Sequence, residues 1–111
     1  MAEKPETRIV TGITKWVRLN GGFAVHTPGS IKQANQPDID GGLFDSAGLP
    51  IHFKVEVKLP GEHARPAQTA MLEIWEKLGY LTGVVHSVDE FQLLIVNESM
   101  RRAARRLERE T

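Results

Sequence analysis

Asp38, Glu56 and Lys58 are the residues whose types and spacing could do chemistry. Glu56 and Lys58 lie in the run Ile51 to Leu59, where Ile51, Phe53, Val55, Val57 and Leu59 alternate with His52, Lys54, Glu56 and Lys58. That period of two gives a strand one apolar and one ionisable face, and it points Glu56 and Lys58 the same way. Asp38 opens an earlier extended stretch after Pro37, and pairing of the two stretches would converge two carboxylates and an ammonium on one point. Such a cluster can hold a divalent cation against a phosphate. A Lys-Glu-Lys face is also what a solvated strand presents, since charge is ordinarily exposed. Which reading holds depends on the elements around it.

Those elements read in the order α-β-β-β-α-β-α. Pro5 suits a first helical turn, Ile9, Val10, Ile13, Trp16 and Val17 recur at helical spacing, and Gly21-Gly22 stops a helix over about 5 to 20. Glu6 falls three, four and seven residues before Ile9, Val10 and Ile13 and so is expected on their inward face, or else as a first-turn acid facing the helix dipole. A short strand, Gly22 to His26, leads to a polar loop from Thr27 to Gln36. The second strand runs Ile39 to Phe44, with Gly41-Gly42 marking a bulge or a close backbone approach. Asp45-Ser46-Ala47-Gly48 turns into the third strand, antiparallel because the connection is short.

Pro66 starts a helix over about 66 to 78, with Ala67, Met71, Ile74, Trp75 and Leu78 as its core stripe, Gln68 off that stripe, and Gly79 as its stop. Leu81 to His86 is a buried strand parallel to the third, reached by a right-handed crossover. Ser87-Val88-Asp89-Glu90 has the capping-box spacing that opens the last helix, with Val88, Phe91, Leu94 and Ile95 facing inward. Further on, Arg101, Arg105 and Arg109 align at steps of four, as a solvated helix end, a phosphate contact or a dimer surface would.

The chain has 111 residues, the size of one domain covering 1–111, and its 41% hydrophobic and 25% charged residues are those of an ordinary globular protein. No apolar run nears the roughly 20 residues that span a bilayer, and the N-terminus lacks signal-peptide order, so a cytoplasmic protein without a membrane partner is expected. The absence of cysteine excludes disulfides, thiolate metal sites and a Cys nucleophile, leaving oxygen or imidazole for any metal. Fourteen basic and fourteen acidic residues cancel, which argues against a protein that coats nucleic acid by charge alone. It leaves room for an acidic metal centre ringed by basic groups.

This order of elements, with Pro37-Asp38-Ile39, Val55-Glu56-Val57-Lys58 and Gln68 placed as they are, resembles the PD-(D/E)xK nuclease superfamily. More narrowly it is similar to the VRR-NUC family, in its small stand-alone phage-type members. Gly21-Gly22, Ala24, Pro60-Gly61, Arg65-Pro66-Ala67-Gln68, Leu78-Gly79-Tyr80, Val85 and Ser87 add to the match, which covers about residues 6 to 91. The resemblance implies an α/β fold, a restriction-endonuclease-like core of a mixed four-stranded sheet flanked by helices. It implies a metal-dependent DNA endonuclease that leaves a 5′-phosphate and a 3′-hydroxyl, acting on branched, junction or nicked DNA as a homodimer in the manner of Holliday-junction resolvases. Asp38 and Glu56 would bind Mg²⁺ or Mn²⁺ with the Val57 carbonyl, and Glu6, or failing it Glu3, would complete the site. Lys58 would position the attacking water and Gln68 would steady the site. The alternative is a non-catalytic DNA-binding or assembly subunit that keeps the fold. The chain departs from many relatives at His26, at Asn35-Gln36 and in its longer loop, which bears on DNA contacts more than on the metal site.

Overall fold

The computed structural model describes residues 4–27 and 35–110. Glu3 and the segment 28–34 of the expected loop lie outside the described residues.

α1 spans Pro5–Leu19 and buries Val10, Ile13 and Val17, with Ile9 and Trp16 packed beside them. It ends where Gly21 takes φ 81° and the Gly22 N–H donates to the Val17 carbonyl at 2.9 Å, closing the last turn as a left-handed cap does. Three strands follow, β1 (Phe23–His26), β2 (Ile39–Phe44) and β3 (Pro50–Val57), then α2 (Pro66–Lys77), β4 (Leu81–Val85) and α3 (Val88–Glu110). The element order is the expected one.

The sheet runs β1-β2-β3-β4, antiparallel across its first two pairings and parallel between β3 and β4. Ile39 pairs with Val55, Gly41 with Phe53 and Leu43 with Ile51, so one face carries the apolar set. α1 and α3 cover that face. Ile13, Ile39, Ile51, Phe53, Val55, Val57 and Phe91 are all fully buried there, and the Phe91 ring packs edge-on to Phe53 at 5.0 Å and to Trp16 at 5.9 Å. Burying a side chain of this size is worth about 1.5–3 kcal/mol, so these seven residues are the main source of stability.

β3 ends at Val57, two residues before the end of its apolar alternation. The Lys58 N–H still reaches the Val85 carbonyl at 3.0 Å, but Pro60 has no N–H and the chain turns away.

The opposite face of the sheet is half covered. α2 contacts β3 and β4 and neither β1 nor β2. Its orientation corrects the expected core stripe: Ile74 and Leu78 are 53% and 65% exposed and Ala67 is exposed, whereas Gln68 and Leu72 are buried. The reason is polar. Gln68 has a hydrogen-bonding partner on the sheet, and satisfying it turns the helix away from the face that hydrophobicity alone selects.

The C-terminal half of α3 runs past the core and is tied to the turn between β2 and β3. Asp45 there has a fully buried side chain that accepts from the Ala47 N–H at 2.8 Å, the Leu49 N–H at 3.0 Å and the guanidinium groups of Arg102 and Arg106 at 3.3 Å each. Arg102 also donates to the Pro50 carbonyl at 2.8 Å. The bonded row of arginines is thus Arg102 and Arg106, while Arg101 pairs with Glu98 on the exposed side. No described helix is long and apolar enough to cross a membrane.

Candidate active site

Asp38 stands one residue before β2 and is fastened on both sides. Its carbonyl accepts the Thr27 N–H at 3.1 Å, extending the β1–β2 ladder, and its carboxylate Oδ2 accepts the Val57 N–H from β3 at 2.7 Å. A charge-assisted bond of that length fixes the carboxylate on the Glu56–Val57 peptide. The antiparallel register requires it, since Ile39 opposite Val55 carries Asp38 to the level of Glu56.

Glu56 lies on the face under α2 and is 2% exposed. Its Oε1 accepts from Gln68 Nε2 at 3.1 Å. Gln68 is oriented in turn by the backbone, because its Oε1 accepts the Arg65 N–H at 2.9 Å, the reverse half of a capping box. Arg65, Gln68 and Glu56 therefore form a chain from the first turn of α2 to the carboxylate, and the amide cannot flip without losing both bonds. Lys58, half-buried, continues the strand alternation beyond β3 through its backbone bond to Val85.

The structure brings together Asp38, Glu56, the Val57 amide and Gln68. Glu6 is exposed on the first turn of α1, ahead of the buried part of that helix, and not on the inward face where its spacing put it. Among the described residues no three carboxylates or imidazoles converge into a group able to hold a metal. The register sets Asp38 and Glu56 at one level of the sheet, and carboxylate and backbone oxygens are donors that suit a hard divalent cation such as Mg²⁺ or Mn²⁺.

His86 was not singled out by its spacing, yet it straps the segment between Lys58 and Gln68. Its Nε2 lies 3.0 Å from the Glu62 carbonyl and its Nδ1 3.2 Å from Glu90 Oε1. Both neighbours are acceptors, so only the imidazolium can donate to both. The Glu62 carbonyl, then the Glu90 hydrogen bond and the nearby Glu90 and Glu62 charges, raise the His86 pKa above its ordinary 6.5 against a smaller opposing effect of burial. Glu90 serves this strap in place of part of the expected capping box: its N–H takes Ser87 Oγ, but its carboxylate accepts the His86 N–H. A raised folded pKa means that the strap stabilises fully below pH 6.5 and is lost as pH rises through the higher folded value. Proton NMR of the His86 ring is expected to show titration above 6.5 and a fall toward it in Glu90→Gln. An unperturbed titration in wild type would show that the strap does not form.

Lys54 is the other surprise, while His52 beside it on that face is exposed as expected. On sequence they belong to a solvated face. Lys54 instead pairs with Asp40 at 3.3 Å, lies over the Trp75 ring at 4.2 Å and the Tyr80 ring at 5.0 Å, and keeps 13% of its side-chain exposure. The signal missed was Asp40 in register with Lys54 across β2. His26 on β1 is exposed.

A mixed four-stranded sheet with helices on both faces is consistent with the restriction-endonuclease-like architecture. Within it, the fold is that of VRR_NUC domains. One solved structure described as a VRR_NUC domain superposes with a TM-score of 0.66 at 23% identity, covering 84% of this chain and 96% of that one. Another, a VRR_NUC domain protein, gives 0.59 at 20% identity over 92% of this chain and 89% of that one. No family model matches the sequence, and no curated protein matches it significantly. The likeness lies in the fold.

Proposed function

We propose that this chain is a VRR-NUC nuclease, a Mg²⁺- or Mn²⁺-dependent endonuclease that hydrolyses DNA phosphodiester bonds in the cytoplasm. The observation that carries the reading is the Asp38 carboxylate bonded to the Val57 N–H beside a Glu56 held by Gln68. These groups have no role in the apolar core, and they lie where the VRR-NUC resemblance expects its catalytic residues.

Asp38, Glu56 and the Val57 carbonyl would hold the ion; Glu6, the further ligand that the family resemblance implies, is exposed on the first turn of α1 and would have to reach the ion from there. Bound there, a divalent ion supplies a nucleophile at neutral pH and offsets charge on the phosphate. Lys58 orients the water and stabilises the equatorial oxygens as charge develops. Gln68 keeps Glu56 from rotating away. Water oxygen bonds to phosphorus, the bond from phosphorus to the 3′ oxygen breaks, and that oxygen takes up a proton, leaving a 5′-phosphate and a 3′-hydroxyl. Two copies acting on branched, junction or nicked DNA complete the reading.

A non-catalytic DNA-binding or assembly subunit of the same fold has one observation in its favour, the lack of a third converging carboxylate or imidazole among the described residues. Cleavage of a panel of labelled branched, nicked and linear DNAs separates the two. The nuclease reading expects metal-dependent cutting, abolished by chelator, with branched or nicked substrates preferred. No cutting of any DNA with either metal would leave the binding subunit.

A further inference from the structure

The half of the sheet that α2 leaves bare forms an open cleft of about 500 Å³ on the same face as Glu56. Its floor is Gly42, opposite Phe23 on one side and His52 on the other. Its walls are Phe23, 66% exposed, and Tyr80, whose ring meets His52 edge-on at 6.2 Å. Asp40 and Lys54 stand at the end toward the candidate site. Strand residues two apart on one face are separated by about 6.6 Å, so the Asp40–Lys54 pair is one such step from Asp38 and Glu56.

We infer that this cleft binds one unstacked nucleobase of a single strand leaving the candidate active site, with guanine preferred. The inference rests on the nucleic-acid reading above. The exposed Phe23 ring and the half-buried Tyr80 ring beside a glycine floor suit a flat, neutral partner, and base stacking on such rings is sequence-tolerant. Asp40 at the cleft's inner end disfavours a phosphate there. Its carboxylate, with 39% of its side chain exposed, accepts, and the Lys54 ammonium 3.3 Å away donates. That pairing meets the guanine edge with two adjacent N–H donors on the carboxylate and the acceptor oxygen on the ammonium, whereas adenine offers the carboxylate a single amino donor beside its acceptor nitrogen and so makes one contact fewer. The glycine keeps the space open: a Cβ on Gly42 would meet only the Ile51 carbonyl at 3.2 Å and His52 Nδ1 at 3.6 Å, whereas one on Gly41 would strike the Phe23 carbonyl at 2.1 Å. A side chain at position 42 requires the Ile51 carbonyl to give by a few tenths of an ångström, against a shift of backbone at position 41, and it would fill the cleft.

The test is fluorescence anisotropy with a labelled oligo-dT strand carrying one central dG, dA or dC, without metal, so that cleavage plays no part. The dG strand is expected to bind about tenfold more tightly than the dA strand, the discrimination of one good edge contact. Gly42→Leu should abolish the difference, Asp40→Asn should remove the guanine preference, and Phe23→Ala, at an exposed position that folding does not need, should weaken all three strands. Equal binding of the three by wild type would overturn the inference, as would Gly42→Leu or Phe23→Ala changing only self-association by light scattering, which would make the face a contact between copies. Base-dependent binding by a protein that cuts no DNA would keep the cleft and remove the hydrolytic reading. Cutting without base preference would do the reverse.

Discussion

Lys58→Ala is expected to lower the rate of DNA cleavage with Mg²⁺ by about 100- to 1,000-fold while leaving the melting curve unchanged. The magnitude is that of removing one charge-stabilising group aimed at a developing oxyanion. The fold should not notice, because the contact at position 58 that holds the sheet is the backbone bond to Val85, which alanine keeps. Half-buried at the strand end, Lys58 carries no part of the apolar core. A correctly folded Lys58→Ala that still cuts at the wild-type rate would remove Lys58 from the mechanism.

Asp45→Ala is expected to lower the melting midpoint by about 10 °C, the scale of losing a buried polar network in a domain of this size. The substitution leaves the Ala47 and Leu49 N–H groups and two guanidiniums without the acceptor they share. The carboxyl's pKa is lowered from 3.8 to about 2, chiefly by the Leu49 N–H and further by the Ala47 N–H and the two arginines, against the opposing push of burial. A depressed folded pKa stabilises above 3.8 and ceases to do so as pH falls through about 2. The gap in stability between wild type and Asp45→Asn should therefore be constant above pH 4 and shrink below it. Equal midpoints at neutral pH would show that α3 is not held through this turn.

The cores of α1 and α3, and the strands that the sheet buries, were legible because each shows one dominant period. Val10, Ile13 and Val17, or Phe91 and Ile95, face where their spacing puts them. α2 was misread for the opposite reason. Ala67, Ile74 and Leu78 of its best apolar stripe are exposed and Met71 and Trp75 only half-buried, and what turns the helix is Gln68 reaching Glu56, a pairing that exists only after the chain folds. Asp38 and Glu56 could be picked out from type and spacing, but the bond from Asp38 to the Val57 N–H depends on strand register, which periodicity does not give. Glu6 was placed inward by counting turns, and counting cannot tell that the core begins only at Val10. The bonds of Asp45 to Arg102 and of His86 to the Glu62 carbonyl leave no mark in the sequence, since those partners lie 57 and 24 residues away.

Titration calorimetry with Mn²⁺, wild type beside Glu56→Gln, tests the central claim most directly. Glutamine keeps the shape of Glu56 and its bond to Gln68 while removing the charge. Wild type is predicted to bind the ion with measurable heat, and Glu56→Gln to bind it at least about tenfold more weakly, as loss of one carboxylate ligand requires. No heat with wild type, or equal affinity in the two proteins, would contradict a metal site built on Asp38 and Glu56.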